Sequence, residues 1–490
     1  MTSDSLSVVY TSKLEDLRAS NEPDVVRAYE LMNSISHLPR TLHLPSLPDG
    51  TIDRTISKWA FEPRAELTQQ NYSHDVHQFF EYWYANYTDR SWITAKQSEI
   101  SLFLGWYRYQ SPIVNSPTTR KGRAPSTVSR MQAALNSIYD TAIAGNEILS
   151  NPVPRGTINA TKGQRRSSAN WLTPGAIEDW QKFGLNRVGD ANQERILQNY
   201  RNVAYAKLIY GTGLRRQEAG GLITLEIPQN RFSNNLYQGW VPSALSKNSP
   251  YRGRAFYAER DLVLTLSNYC QQQRLIDIEA GKRSGKYEDD KHRLIVVGTE
   301  QIGGPNAAVT LVDVEGRKRK VKLQELTLGE REHIYETSES GFLEPLYLWL
   351  QTDGTPLKPT SWNGIFEAAN KACARSLGPT APRITPHRLR HSFALRVFAA
   401  SLLATVNAGG QSNQVANQAL LDQGNIWIRI QNLLGHKSPE TTRDYYLEPV
   451  ATLEWELIIR ESNGSSIATL LSLISRLDSR IQNGGISDGT

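Results

Sequence analysis

The sequence predicts a mainly helical protein with a small β-sheet, an α+β fold divided into two domains. Apolar residues recur every three or four positions in many segments, which is the spacing of one face of an α-helix. Two hairpins are expected after residue 171, one formed by GWVPSALSKN with RAFYAERDLV and a second by AVTLVDVEGRKRKVKL. The chain has 490 residues, which is too many for a single hydrophobic core.

The first domain is expected over residues 61–154. It follows a polar arm, residues 1–60, which is broken by Pro and Gly and in which a helix is expected near residues 23–35. A helix that opens at Thr68 is indicated by apolar side chains at helical spacing. These side chains are Tyr72, Val76, Phe79, Phe80 and Trp83. A compact helical domain is therefore expected.

End signals predict two further helices in this domain. Thr94 and Gln97 form a capping box before the second helix. Ser126 is expected to cap the third helix, and Gly145 to end it. The loop before the third helix, TTRKGRAP, is basic.

A basic stretch, residues 155–170, reads as a linker to the second domain, residues 171–462. This linker is either a solvated tether or a charged strap that lies along a phosphate backbone. Thr173 is expected to cap the first helix of the second domain, and residues 280–340 form a polar insertion with a hairpin. Residues 463–490 form a C-terminal helix and tail. The apolar face of that helix comprises Ile467, Leu470, Leu471, Ile474, Leu477 and Ile481.

Charge and composition narrow the classes of function. The net charge is +6 and the pI is about 9.1, which permits a nucleic-acid partner without requiring one. The two cysteines, Cys270 and Cys373, are too few for a disulfide framework and fit a reducing cytoplasm. No signal-peptide pattern, 18-residue apolar run, phosphate-binding loop or His-Glu-x-x-His motif occurs, so secreted, membrane, ATP-driven and zinc-hydrolase classes are disfavoured.

Four short stretches of the second domain concentrate charged and nucleophilic side chains: YGTGLRRQEAGGL, ALSKN, TPHRLRHSF and NLLGHKSPETTRDYY. Their candidate functional residues are, in chain order, Arg215, Glu218, Lys247, His387, Arg390, His391, His436 and Tyr445. Taken singly, each stretch has a plainer explanation, such as a helix ion pair, a solvated lysine, a polar cluster or a packed tyrosine. Their order and flanking residues favour one site.

The order TGLRxxE, Lys, HxLRH, LGH and TTxxY resembles the tyrosine recombinase (phage-integrase) family. The resemblance covers the second domain, and the first domain is similar to the helical core-binding domain of that family. Two segments, residues 280–340 and 400–425, are longer than the family pattern. Lys318, Lys320 and Lys322 lie in the first of these, so they are alternatives to Lys247.

The resemblance implies a DNA phosphodiester as the anion that the basic cluster binds. Arg215 and Arg390 would hold the non-bridging oxygens and stabilise the transition state. Tyr445 would be the nucleophile, because its nine-residue spacing from His436 matches the family better than that of Tyr446.

The remaining residues take the family's supporting roles. Lys247 would protonate the leaving 5′ oxygen, His387 would act as acid and base, and His436 would donate to a phosphate oxygen. Glu218 would orient Arg215 and His387, and His391 would support the site. No metal and no cofactor are expected.

The same resemblance implies a C-shaped clamp on DNA, formed by the two domains. Candidate DNA-binding residues in the basic loop and linker are Arg120, Lys121, Arg123, Arg155, Lys162, Arg165 and Arg166. The expected partners are double-stranded DNA with specific recombination sites and further copies of the chain, as a dimer on each site and a tetramer in synapsis. Accessory proteins are compatible with this scheme, and a membrane partner is not expected.

The expected function is site-specific integration or excision of a mobile DNA element, including transposition, in the cytoplasm. Two alternatives share parts of the pattern. One is a telomere resolvase or type IB topoisomerase with the same site, and the other is a non-catalytic DNA-binding regulator. The presence of a nucleophile candidate, Tyr445, disfavours the regulator, because binding alone needs no nucleophile.

Overall fold

The computed structural model describes residues 45, 47, 53–62, 64, 66–109, 122–155, 171–187, 199–233, 235–246, 253–408, 423–435 and 481–482. The chain divides into two compact units, Met1–Gln164 and Arg165–Thr490. The division falls inside the segment expected to be a linker. The helix expected near residues 23–35 lies outside the described residues.

All the regular secondary structure in the described part of the first unit is helical. Its helices are α1 (Arg54–Ala60), α2 (Glu66–Asn86), α3 (Gln97–Tyr109) and α4 (Pro125–Ala144), with a 3₁₀ turn at Trp92–Thr94. Their apolar faces meet in one largely aromatic core. Its buried members include Ile56, Trp59, Val76, Phe79, Phe80, Trp83, Trp92, Phe103 and Tyr139. Because α1 contributes to this core, the unit begins before the expected boundary at residue 61.

Two of the expected helix caps are wrong. Thr94 Oγ1 donates to the carbonyl of Ser91 at 2.7 Å, and Glu99 instead caps the start of α3 by accepting from the Lys96 amide at 2.8 Å. Helix α4 begins at Pro125, so Ser126 lies inside it. Proline at the first helical position is already in helical geometry, which explains the earlier start. Gly145 follows the last residue of α4, as predicted.

The second unit combines helices with three small sheets among its described residues. Its helices are α5 (Pro174–Asp179), continued by a π-turn at Trp180–Leu185, α6 (Asn199–Thr212), α7 (Arg216–Gly220), α8 (Arg260–Gln271), α9 (Gln273–Arg283), α10 (Leu328–Glu332), α11 (Trp362–Leu377), α12 (Pro386–Ala408) and α13 (Gln423–Leu434). The predicted cap of α5 is confirmed, because Thr173 Oγ1 accepts from the Ala176 amide at 3.2 Å.

The strands of the second unit are β1 (Trp171–Leu172), β2 (Asn230–Arg231), β3 (Leu236–Val241), β4 (Arg254–Glu259), β5 (Leu294–Glu300), β6 (Ala308–Val312), β7 (Lys318–Lys322), β8 (Ile334–Thr337), β9 (Leu343–Pro345) and β10 (Ile481–Gln482). Strands β3 and β4 form the predicted antiparallel hairpin, in register from Leu236 opposite Glu259 to Val241 opposite Arg254. The other predicted hairpin is β6 with β7, and the prediction of a mainly helical α+β fold is confirmed.

Four strands of the insertion, β5 to β8, form a five-stranded sheet with β9, in the order β7-β6-β5-β8-β9. The buried side chain of Arg331, on α10, donates to both carboxylate oxygens of Glu226, at 2.6 and 2.9 Å. The same guanidinium also donates to the carbonyl of Gly221, just after α7. The insertion is therefore joined to the rest of the unit by a buried ion pair.

The core of the second unit lies between α6, α11 and the segment 346–350. Tyr205 stacks on Trp362 with ring centroids 3.5 Å apart, and Trp349 meets both rings edge-on. Helix α12 packs against α6 and β1, which brings its basic N-terminal turn toward the start of α7.

Strand β10 pairs in parallel with β1 of the same chain. Ile481 and Gln482 are therefore strand residues, so the prediction that the C-terminal helix includes Ile481 is wrong. Residues 463–480 lie outside the described residues.

Within the described ranges, the structure contains no helix with the length and apolar character needed to cross a bilayer.

Candidate active site

Arg215 lies between α6 and α7, at the N-terminal end of α7. The chain turns before it at Gly213, whose φ is 66° and where a Cβ would lie 2.3 Å from Phe393 Cδ1, so only glycine fits. Glu218 Oε2 accepts from the Arg215 amide at 2.8 Å, and Glu218 Oε1 accepts from Arg215 Nη1 at 2.8 Å. The turn and the ion pair fix the direction of the guanidinium.

Helix α12 brings His387 and Arg390 to the same place from a distant part of the sequence. Arg390 Nη1 donates to the carbonyl of Gly213 and lies 3.9 Å from Glu218 Oε2. Arg390 Nη2 donates to the carbonyl of Leu434 at 2.5 Å. The side chain is only 5% exposed, so Arg390 is held firmly beside Arg215.

His387 lies in the first turn of α12 and contacts His391 through their ring nitrogens. Burial lowers the pKa of His387, and the positive charges of Arg390 and Arg215 lower it further. The imidazole is therefore neutral near pH 7, which is the state in which it can accept a proton.

A third arginine, Arg254, joins the site and was not among the residues predicted from the sequence. It is the first residue of β4, on the same side of the strand as the buried Phe256 and Ala258. Its Nη2 donates to Glu218 Oε2 at 2.5 Å. The sequence does contain one indication of this role. Arg254 alternates with the apolar residues Phe256 and Ala258 in a predicted strand that follows Lys247, so its side chain is expected to point toward the core.

Glu218 is the fully buried centre of this cluster. Burial alone would raise its pKa, but the charges of Arg254, Arg390 and Arg215 hold it below its ordinary value. Because three guanidinium groups surround a single carboxylate, the cluster keeps an excess of positive charge. Such a cluster attracts an anion.

The C-terminal end of α13 closes one side of the cluster. The carbonyls of Leu433, Leu434 and Gly435 accept from Arg254, Arg390 and Arg215 respectively. Gly435 has a φ of 63°, and a Cβ there would lie 2.7 Å from Arg254 Nε. A glycine is therefore required where the helix ends against the arginines.

Three of the predicted catalytic residues, Lys247, His436 and Tyr445, lie outside the described residues, as does Tyr446. The sequence places His436 directly after Gly435.

The residues on either side of the segment 247–252, which contains Lys247, are described, and the insertion contacts both sides. Ser243 Oγ donates to the carbonyl of Gln324 at 2.9 Å, and Gln324 Oε1 accepts from the Gly253 amide at 3.3 Å. The alternative lysines lie on the edge strand β7, where Lys320 pairs with Glu300 at 2.7 Å.

Two of the predicted DNA-binding residues are described. Arg123 donates to the carbonyl of Tyr107 at 2.9 Å and lies over the Tyr107 ring, with its Cζ 3.8 Å from the ring centroid. Arg123 therefore contributes to packing within the first unit. Arg155 is exposed at the end of a described segment. The remaining five, Arg120, Lys121, Lys162, Arg165 and Arg166, lie outside the described residues.

The described part of the site can bind an anion and move a proton. Arg215 keeps 22% of its side chain exposed beside the nearly buried Arg390, and a neutral imidazole adjoins them. In the portion of the chain that the structure describes, no group of three His, Cys, Asp or Glu side chains is arranged to hold a metal ion. The positive charge of this part of the site comes from arginine.

No protein-family model matches the chain, and no curated protein matches it. Several solved structures do match. The Tn1549 transposon integrase in complex with circular intermediate DNA is 15% identical, over 80% of this chain and 93% of that chain, with a TM-score of 0.41. The XerH site-specific recombinase bound to palindromic difH substrate is 15% identical, over 81% of this chain and 80% of that chain, with a TM-score of 0.44. A lambda integrase dimer bound to a core site is 14% identical, over 79% of this chain and 73% of that chain, with a TM-score of 0.36.

These three structures are of integrases and a recombinase, the class of protein that the sequence motifs resemble.

Proposed function

We propose that this chain is a tyrosine recombinase, an enzyme that breaks and rejoins DNA strands through a covalent 3′-phosphotyrosyl intermediate. The observation that carries the proposal is the convergence of Arg215 and Arg390 on one buried carboxylate, Glu218, with a neutral imidazole beside them. Two guanidinium groups from distant parts of the sequence, held at fixed positions, suit the two non-bridging oxygens of a phosphodiester.

In this reaction the arginines stabilise negative charge that develops on the non-bridging oxygens of the phosphate. The five-coordinate transition state carries more negative charge on its non-bridging oxygens than the diester does. Guanidinium groups that are already oriented stabilise this charge without reorganising during the step. Glu218 and the carbonyls at the end of α13 supply that orientation here.

Tyr445 is proposed as the nucleophile and Lys247 as the general acid. As the bond from Tyr445 Oη to phosphorus forms, the bond from phosphorus to the 5′ oxygen breaks. The tyrosine proton passes to His387, and the 5′ oxygen takes a proton from Lys247. Attack on the phosphotyrosine by the 5′ hydroxyl of another strand reverses these steps, so rejoining needs no ATP.

The proposed substrate is double-stranded DNA that carries specific recombination sites, at the ends of a mobile element. Assembly as a dimer on each site, and as a tetramer when two sites meet, is part of the same proposal. The clamp arrangement expected from the resemblance remains a prediction.

A strand-transfer assay tests this function. The full chain is incubated with two labelled duplexes taken from the ends of the DNA element that encodes it and from its flanks. A recombinase yields a covalent protein–DNA adduct together with exchanged strands. Arg215→Lys, which keeps the charge but loses the planar fork, should bind the duplexes and yield much less adduct.

The alternative functions give different outcomes when the same chain is also incubated with a supercoiled plasmid. Relaxation of a supercoiled plasmid that lacks these sites indicates a topoisomerase, and hairpin ends indicate a telomere resolvase. Binding without an adduct, on every duplex from the locus, would contradict the proposal and indicate a regulator.

A further inference from the structure

The C-terminal end of α13 is held by three arginines that come from three different elements. Arg254 Nη1 donates to the carbonyl of Leu433 at 2.8 Å, and Arg215 Nη2 donates to the carbonyl of Gly435 at 2.8 Å. Arg390 donates to the carbonyl between them, that of Leu434. The last carbonyls of a helix have no partner within the helix and carry its partial negative charge. The arginines therefore satisfy these carbonyls and complement the charge.

Arg254 differs from the other two arginines in what it joins. Its two Nη groups connect the carbonyl of Leu433 to Glu218 Oε2, so a single guanidinium links the end of α13 to the buried carboxylate. It is only 12% exposed. The backbone of Gly435 lies against it, because a Cβ on that residue would come within 2.9 Å of Arg254 Cδ as well as reaching Nε.

This linkage affects two properties of the site. It fixes the position of the peptide at Gly435, and His436 is the next residue along the chain. It also supplies one of the positive charges that balance Glu218. Without Arg254, the carboxylate would be balanced by Arg215 and Arg390 alone, and these would have less positive charge available for a phosphate.

We propose that Arg254 is a positioning residue that couples the end of α13 to the phosphate-binding arginines, which rests on the proposed recombinase function. It acts through Glu218 and through the Leu433 carbonyl. Its loss should slow the cleavage step more than it weakens DNA binding, because the phosphate contacts that position a duplex are spread over many residues.

The test compares three variants of the full chain. Arg254→Met keeps the aliphatic stem but removes the charge and both hydrogen bonds. Arg254→Lys keeps the charge but not the planar fork that spans the two acceptors. Arg260→Met, at the exposed first residue of α8, directly after the same strand, is the matched control. For each variant, DNA affinity and the single-turnover rate of adduct formation on pre-bound duplex are measured at a temperature where its circular dichroism equals that of the parent.

We expect Arg254→Met to lower the rate on bound DNA by about 100-fold, as for a misplacement of about 1 Å in an active site. Arg254→Lys should recover part of this rate, and Arg260→Met should match the parent. A purely structural role would leave the rate per bound molecule unchanged. Parent-like cleavage by Arg254→Met would therefore overturn the proposal.

A second readout does not depend on cleavage. Amide hydrogen exchange of residues 423–435 should become faster in Arg254→Met and stay parental in Arg260→Met. If the parent chain forms no adduct, the recombinase function fails, but faster exchange would still support the coupling. Unchanged exchange in Arg254→Met would refute the coupling whatever the parent does with DNA.

Discussion

His387 Nε2 lies 2.6 Å from His391 Nε2, one helical turn apart on α12. At this separation one nitrogen donates and the other accepts, so the two facing nitrogens share one proton. The pKa of His387 is lowered by burial and by the neighbouring arginines. His391 is thus a direct hydrogen-bond partner of His387, the proposed acid and base. This contact explains how His391 could support the site, as expected from the sequence.

The lowered pKa of His387 predicts the acidic side of the pH–rate profile. A lowered pKa means that the imidazole stays neutral below its ordinary pKa of about 6.5. Adduct formation on bound DNA should therefore be level from pH 8 down to about 6.5 and fall only at lower pH. His387→Gln should lower the rate by about 10²–10⁴-fold and remove that decline. A parent rate that is already half lost above the ordinary pKa would contradict this assignment.

Cleavage should not require a divalent metal ion. Arg215 and Arg390 supply the positive charge that a metal-dependent nuclease obtains from Mg²⁺. Excess EDTA should leave adduct formation on a suicide duplex unchanged. The control is DNA binding, measured in the same buffer. If EDTA abolished cleavage but not binding, and added Mg²⁺ restored cleavage, this prediction would be wrong.

The ion pair between Arg331 and Glu226 should contribute strongly to stability. Both side chains are buried, so Arg331→Met would leave an unpaired buried carboxylate. Loss of one partner of a buried pair costs about 3–5 kcal/mol. Urea unfolding of the full chain should show this loss for Arg331→Met. Arg317→Met is the matched control, because Arg317 is largely exposed in its pairs with Asp313 and Glu315. Equal stability of the two variants would argue against a structural role for the buried pair.

The C-terminal segment is predicted to join neighbouring copies in a synaptic assembly, while packing on its own domain is the alternative. The pairing of β10 with β1 places residues 481–482 on their own chain, so two truncations are needed to separate these roles. The chain that ends at Ser462 should bind a single site and fail to bring two sites together. The chain that ends at Gln482 keeps the segment and serves as the control. Synapsis that is equally efficient in both truncated chains would exclude the docking role.

The sequence was sufficient to predict the parts of the site that depend on the spacing of residues within one helical turn. The helical turn between Arg215 and Glu218 and the spacing of His387, Arg390 and His391 follow from helix geometry. Arg254 could not be found in this way, because its role depends on which helix end lies beside β4. The caps at Thr94 and Ser126 were misassigned because other residues, Glu99 and Pro125, compete for the same helix ends.

Tyr445 is predicted to be the nucleophile, and Tyr446 is not. If the segment is helical, adjacent side chains point about 100° apart, so only one of the two can face a phosphate held by Arg215 and Arg390. Tyr445→Phe should bind DNA as the parent does and form no covalent adduct on a denaturing gel. Tyr446→Phe, the matched control, should still form the adduct. An adduct that persists in Tyr445→Phe would show that the other tyrosine reacts.

The most direct measurement is the identification of the residue that carries DNA in the trapped adduct of the unaltered chain. After trypsin and nuclease digestion, both tyrosines lie in the peptide 444–460, DYYLEPVATLEWELIIR, so fragmentation by mass spectrometry must distinguish them. The recombinase mechanism predicts a nucleotide joined through a 3′ phosphate to Tyr445. A nucleotide on Tyr446, a 5′ linkage, or no covalent adduct with any duplex from the encoding locus would contradict it.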